Sequence, residues 1–198
     1  VFMSICCIEK QSIDESWWTD TYYTENTFLN DLRVGDLRWL PRSRVEDDPS
    51  YKQLIPYVLV KSSNNAFACY QRAGTEIRLH AFMSCGVGGH IEEVDKRETV
   101  IETVLAGARR ELSEEFANYK SNIGRLQIIG VIHENETEVG LHHIGIVLLL
   151  QLGETESLYP DLELKDCAWL SRDQLLVQRL ELWSKLALQL EETVCLIP

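Results

Sequence analysis

The stretch "RRELSEEF", Arg109 to Phe116, sets three glutamates within five positions beside two arginines. On a helix, Glu111, Glu114 and Glu115 stand at i, i+3 and i+4 and share one face. Each close like-charge pair there costs about 0.2–0.5 kcal/mol, and the last turns of a helix disfavour anions further through the macrodipole. Arg110 offsets part of this, in the weaker of the two i,i+4 orientations. A cation held among the carboxylates offsets more. Hard divalent ions such as Mg²⁺ take oxygen ligands, keep several waters, and bind through a few carboxylates plus substrate phosphates. An ordinary acidic, solvated helix face is the plainer reading of the same three residues.

The element that must carry them is legible. Between Glu98 and Phe116, Ile101, Val104, Leu105, Ala108, Leu112 and Phe116 recur at spacings of three and four, which predicts an amphipathic helix. Thr99 and Glu102 form a T-x-x-E capping box at its start, a purely structural reason for Glu102. Upstream, "LIPYVLVKSS", the turn "NNA" and "FACYQR" predict a hairpin. "IRLHAFMSCGVGGH" then carries a strand into Gly88 and Gly89, where missing Cβ atoms permit close approach of the backbone to a ligand. Downstream, "LQIIGVIHE" and "HHIGIVLLLQL" predict strands, the second buried on both faces, around the polar loop "ENETEVGL". "DCAWLSRDQLL" reads as a strand entering a Ser171-capped helical turn, followed by a leucine-rich helix from about Val177 to Glu192. The first fifty residues, with "SWWTDTYY" and "WLPRSRVEDDPS", have no sustained period; their aromatics suit a peripheral packing layer or a pocket for a ring. Strands interleaved with two substantial helices predict an α/β protein whose sheet is covered on both faces, one domain over residues 1–198.

Composition narrows the partners. A formal net charge of -12 over 198 residues opposes association with nucleic acid or an anionic membrane, so a phosphate-bearing ligand needs a local cation. The six cysteines have no metal-site spacing and read as reduced core thiols of a cytoplasmic protein. "VFMSICCIEK" lacks the basic region and cleavage site of a signal peptide, and "IGIVLLLQL" is too short to cross a bilayer.

Glu102 is followed by the seven residues "TVLAGAR" and then by Arg110, Glu111, Leu112, Ser113, Glu114 and Glu115. With that spacing the chain resembles the Nudix hydrolase family, whose signature is a glycine, five residues, Glu, seven residues, then R-E-U-x-E-E-x-G-U, U being bulky and apolar. The resemblance covers about Leu54 to Leu176, leaving an N-terminal extension of about 1–50 and the C-terminal helix outside. It implies a Nudix-type α/β/α sandwich with a mixed β-sheet. It also implies a Mg²⁺-dependent pyrophosphohydrolase, with Mn²⁺ as an alternative ion, acting on a small-molecule nucleoside diphosphate derivative. Carried over residue by residue, Glu111, Glu114 and Glu115 are the metal ligands, and Glu115, Glu114 and Arg110 the catalytic set, with Arg110 orienting the carboxylates. Gly88, Gly89 and His90 would lie against the substrate, and His143 could reach the same site. Glu115, or a loop acid such as Glu134, Glu136 or Glu138, could be the general base. The resemblance also implies that such chains can pair as homodimers.

Three departures accompany it. Twelve residues, "HIEEVDKRETVI", separate Gly89 from Glu102, which reads as an insertion of about seven in the loop on the phosphate side. Ala117 replaces the late glycine, and Asn118 could take over its left-handed turn. Glu102 already has its capping role. Two other readings stand beside hydrolysis: a non-catalytic Nudix-fold module that binds a nucleotide or a protein, and an isoprenoid-diphosphate isomerase using Cys85.

Overall fold

The computed structural model describes residues 3–15, 20–24, 27–71, 82–161, 164 and 166–195. Trp17, Trp18 and residues 77–81 of the strand expected before the glycines lie outside these. The strands are β1 (Ser4–Glu9), β2 (Tyr22–Tyr23), β3 (Arg38–Pro41), β4 (Tyr51–Lys61), β5 (Ala66–Gln71), β6 (Met83–Ser84), β7 (Gly86–Gly88), β8 (Arg125–Ile132), β9 (His143–Gln151) and β10 (Ala168–Ser171). The helices are α1 (Thr27–Asp31), α2 (Arg42–Val45), α3 (Val100–Glu115), α4 (Glu138–His142), α5 (Arg172–Leu176) and α6 (Leu182–Cys195).

The sheet runs in the order β10-β5-β4-β9-β8-β2, with β1 and β7 also on β4. β4 and β9 run parallel from Gln53–His143 to Lys61–Gln151, whereas β9 pairs antiparallel with β8, so the sheet is mixed. Both central strands are buried along nearly their whole length because each face is covered. Leu54, Val58, Ile144, Ile146 and Leu148 pack with Val104, Ala108 and Leu112 of α3. Their alternates, Ile55, Leu59, Val147 and Leu149, pack with Trp183, Ala187 and Leu190 of α6. In β8 a register shift between Ile128 and Gly130 reverses the parity, so Ile128 and Val131 share the α3 face.

The two long helices differ from expectation at their ends. α3 has the expected Thr99 cap, whose hydroxyl accepts from Glu102 N at 3.1 Å and donates to the Glu102 carboxylate at 2.9 Å. Its other end does not use a left-handed Asn118. Phe116 is extended (φ -126), and the segment after Ser157 supplies the partners: Asp161 N donates to Glu115 O at 2.8 Å and Ala117 N to Tyr159 O at 3.1 Å. Asn118 instead braces that segment, donating to Ser157 O and accepting from Tyr159 N, both at 2.8 Å. Satisfied this way, the last carbonyls need no Schellman-type turn. The C-terminal helix begins at Leu182, later than expected, because Leu180 is buried and bridged to Met83 while Glu181 N donates to Met83 O, which holds this stretch on the sheet.

The aperiodic N-terminal segment adds strands β1, β2 and β3 to the sheet, with α1 and α2 between and after them. β1 pairs antiparallel with β3 and with the start of β4, and Cys6 N donates to Ile91 O at 2.8 Å, tying the segment to the residues after the glycines. Tyr22 and Tyr23 pair with Ile132 and Val131. The cysteines described are unbridged; Cys6, Cys7, Cys69 and Cys85 are buried, whereas Cys195 is exposed, against the expectation of a core thiol. Among the described residues no helix is long and apolar enough to cross a membrane.

Candidate active site

Leu112 anchors α3 to the sheet, and the residues around it turn the acidic face toward Gly89. An added Cβ on Gly89 would stand 2.3 Å from the carboxyl atoms of Glu111, so any side chain there would push that carboxylate aside. Gly88 is also constrained, with Pro56 O and the Tyr57 ring just over 3 Å from where its Cβ would be, at 3.2 and 3.1 Å.

Arg110 is the hub. Its Nη1 donates to Glu111 Oε1 at 2.9 Å and to Glu114 Oε2 at 3.1 Å, and its Nη2 donates to His90 O at 2.6 Å. The same guanidinium is gripped by Asp95, through Nη2 at 3.0 Å and Nε at 3.2 Å, and lies 3.6 Å from Glu92. Burial opposes its charge, yet the Asp95 hydrogen bond and the surrounding carboxylates hold its pKa above the usual arginine value. Glu111 moves the other way. Burial raises its pKa to about 7 despite Arg110, with Glu114 and Glu115 adding repulsion. Glu114 is exposed over 56% of its side chain, while Oε2 of Glu115 is buried.

Asp95 was not anticipated, and it moves the insertion. Five residues separate Gly89 from Asp95, the spacing that the signature gives between its glycine and its first acid. Fourteen residues, against the signature's seven, then separate Asp95 from Arg110. The extra seven lie in α3 and its approach, and Glu102 is an exposed cap residue far along the helix from the cluster. Asp95 is 3% exposed and also accepts from Glu92 N at 2.9 Å, closing the short 3-10 turn Glu93–Asp95.

The carboxylates are oxygen donors on one helix face, with Glu111 lying directly against the bare backbone of Gly89, and such donors suit a hard cation. Among the described residues, no three acidic, histidine or cysteine side chains already converge as a ligand set. Arg110 occupies Glu111 and Glu114, acting as the cation among them.

A cavity of about 660 Å³ opens on the far side of the glycines. Gly88, Gly89 and His90 form one edge and Ile55, Tyr57 and Trp183 the apolar floor; the three glutamates of α3 do not line it. Segments outside the expected Nudix core, residues 42, 46 and 47 at α2 and 181–183 at the start of α6, share its other walls with residues 137–139 and 142–143. Tyr57 is fixed there by its hydroxyl, which donates to Glu181 at 2.8 Å and lies 2.7 Å from Ser184 Oγ.

His90 and His143 both face this cavity, their rings 5.7 Å apart. Burial, helped for His90 by Arg42, lowers their pKa values to about 3 and about 4, so both are neutral near pH 7. His143 Nδ1 donates to Val139 O at 2.7 Å, which leaves Nε2 as an acceptor. Of the loop acids, Glu138 lines the cavity and Glu136 does not. Glu134 is 2% exposed and caps the turn into α4, accepting from Glu136 N, Thr137 N and Trp183 Nε1 at 2.7, 2.9 and 3.0 Å. These bonds outweigh its burial and keep its pKa low. Lys52, fully buried, ties down the same loop by donating to Asn135 Oδ1 at 3.2 Å and to Gly140 O. Cys85 is core: it is 1% exposed, and burial pushes its thiol up to about 12.

No protein-family model matches the chain. It is 29% identical over 194 residues to Protein YmaB of Bacillus subtilis (strain 168), spanning 90% of this chain and 94% of the relative. The crystal structure of Tm1382, provisionally described as a Nudix hydrolase, superposes with a TM-score of 0.76 at 25% identity over 96% of this chain and 99% of the other. The bifunctional NMN adenylyltransferase/ADP ribose pyrophosphatase of Francisella tularensis matches 73% of this chain and 41% of its own length, with a TM-score of 0.55 at 17% identity, a likeness of fold. The R-E-L-S-E-E helix and the mixed sheet between two helical layers agree with Tm1382, the whole-length structural relative, and the chain has the Nudix-type fold.

Proposed function

We propose that this protein is a divalent-metal-dependent pyrophosphohydrolase that cleaves the diphosphate linkage of a nucleoside diphosphate derivative. The observation that carries this reading is the Glu111 carboxylate lying under Gly89, clamped by Arg110 beside Glu114, with a cavity at the other edge of the glycine strand. Glu111, Glu114 and Glu115 would hold the metal, and the bound ion would supply neutralisation of phosphoryl charge. Arg110 and Asp95 would keep the carboxylates oriented, and the side-chain-free Gly88–Gly89 backbone would lie against the phosphoryl groups. Glu115 of the helix cluster, or Glu138 on the cavity wall, would take a proton from the attacking water, since Glu134 is consumed by its cap. We take the whole of residues 1–198 as one working unit, because both flanking segments wall the cavity.

The test is a hydrolysis screen over nucleoside triphosphates, nucleotide sugars, dinucleotide cofactors and dinucleoside polyphosphates, with and without Mg²⁺ or Mn²⁺. Metal-dependent turnover is expected, and Glu114→Gln or Glu115→Gln should lower it at least about a hundredfold. Full activity in either variant refutes the assignment. A second reading, a module that binds without turnover, draws on Arg110 already pairing with Glu111 and Glu114. Its signature is calorimetric binding with no hydrolysis across the panel.

A further inference from the structure

The cavity beside the glycines carries an unbalanced charge. Four carboxylates line it, Glu46, Asp47, Glu138 and Glu181, the last already accepting from Tyr57 and Ser84, against one guanidinium, Arg42. Arg42 is itself engaged by Glu46 at 3.0 Å. Its other polar groups are mostly acceptors, since carboxylates accept and His143 presents Nε2 once Nδ1 donates to Val139. The floor of Ile55, Tyr57 and Trp183 is apolar and braced from behind, because Trp183 packs on Gly145, where a Cβ would come within 2.8 Å.

We infer that this cavity selects a flank of the diphosphate that is uncharged or cationic and rich in hydrogen-bond donors, such as a sugar bearing several hydroxyls, and rejects a flank carrying a further anionic group. The inference rests on the proposed hydrolytic reading, in which the diphosphate lies at the α3 glutamates and one of its substituents extends past Gly89. Hydroxyl and amino donors meet carboxylates and the His143 acceptor, whereas an added carboxylate or phosphate is repelled by a wall of net negative charge and finds one partly committed cation. The N-terminal segment takes part directly, since Glu46 and Asp47 belong to it.

Two matched pairs test this on either flank: UDP-glucose with UDP-glucuronate, and ADP-ribose with its 2′-phosphorylated form. The neutral member should show the higher kcat/KM, by about tenfold, in at least one pair. In the E46K/D47K variant, which reverses two exposed wall charges, that ratio should fall toward one. Equal kcat/KM within both pairs, or a ratio unchanged by the variant, overturns the inference. If nothing is hydrolysed, the hydrolytic reading fails and calorimetry decides the cavity separately: tighter binding of the neutral members upholds its selectivity, and equal binding or none overturns it.

Discussion

Replacing Asp95 by asparagine tests the claim that this buried acid, and not Glu102, completes the carboxylate site. Asp95 is 3% exposed and meets Arg110 at 3.0, 3.2 and 3.3 Å, so the substitution removes a charge from a buried, multiply bonded pair. Breaking such a pair costs roughly 3–5 kcal/mol. The lower end applies, about 3 kcal/mol, because Arg110 retains Glu111 and Glu114 and the amide oxygen still accepts. For a chain of this size the melting temperature should drop by roughly 6–12 °C. With the guanidinium loosened, the carboxylates lose their alignment, and kcat should fall about a hundredfold while KM changes little. Glu102→Gln touches an exposed cap, and should cost less than about 1 kcal/mol with kcat within about twofold of the parent. Calorimetric melts and steady-state kinetics of the two variants side by side decide the matter. An Asp95→Asn protein that is folded and fully active, or a Glu102→Gln protein as impaired as it, would refute the reasoning.

Gly89→Ala should slow turnover by about tenfold to a hundredfold while costing little stability, because its Cβ meets the flexible end of Glu111; kinetics and a thermal melt check both halves. Lys52 provides a pH test: burial lowers its pKa to about 8, so the folded protein binds fewer protons than the unfolded one between about pH 8 and pH 10.4. Stability therefore rises with pH in that window, and relative to Lys52→Met the parent should gain roughly 3 kcal/mol between pH 7 and pH 10.5 in denaturant titrations. A flat difference would contradict the buried charge. Iodoacetamide applied to the native protein should label Cys195, leave Cys85 unmodified by mass spectrometry and spare activity, since the Cys85 thiol is inaccessible and held up to about 12. Loss of activity tracking Cys85 labelling would revive the cysteine-dependent isomerase.

Where the chain's order is local, the amino-acid sequence states it. The three-and-four spacing up to Phe116, the Thr99 and Ser171 caps and the continuous apolar run of β9 are each decided within a few residues and appear as expected, except that Ile101 at the start of the stripe is exposed. The N-terminal segment is settled by partners far away: β1 needs Arg38–Pro41, some thirty positions on, and the start of β4. Neither periodicity nor propensity encodes such pairing. The turn into α4 was missed because its stabiliser, Glu134, looks like one more charge in an acidic loop until Trp183 arrives from α6. Glu102 misled for a different reason: its seven-residue distance to Arg110 matches the signature, while the residue that grips Arg110 was hidden inside what looked like a loop insertion.

The lengthened approach to α3 has a bearing on how such chains tolerate change. At about 100° per residue, seven added positions turn a helix through about 700°, within about 20° of two full revolutions. A growth of that size slides the start of the rod outward by about 10 Å without rotating its acidic face from Gly89. An addition of five or six would instead turn the apolar residues at the helix start off the sheet, so length variation here should come in near-whole turns.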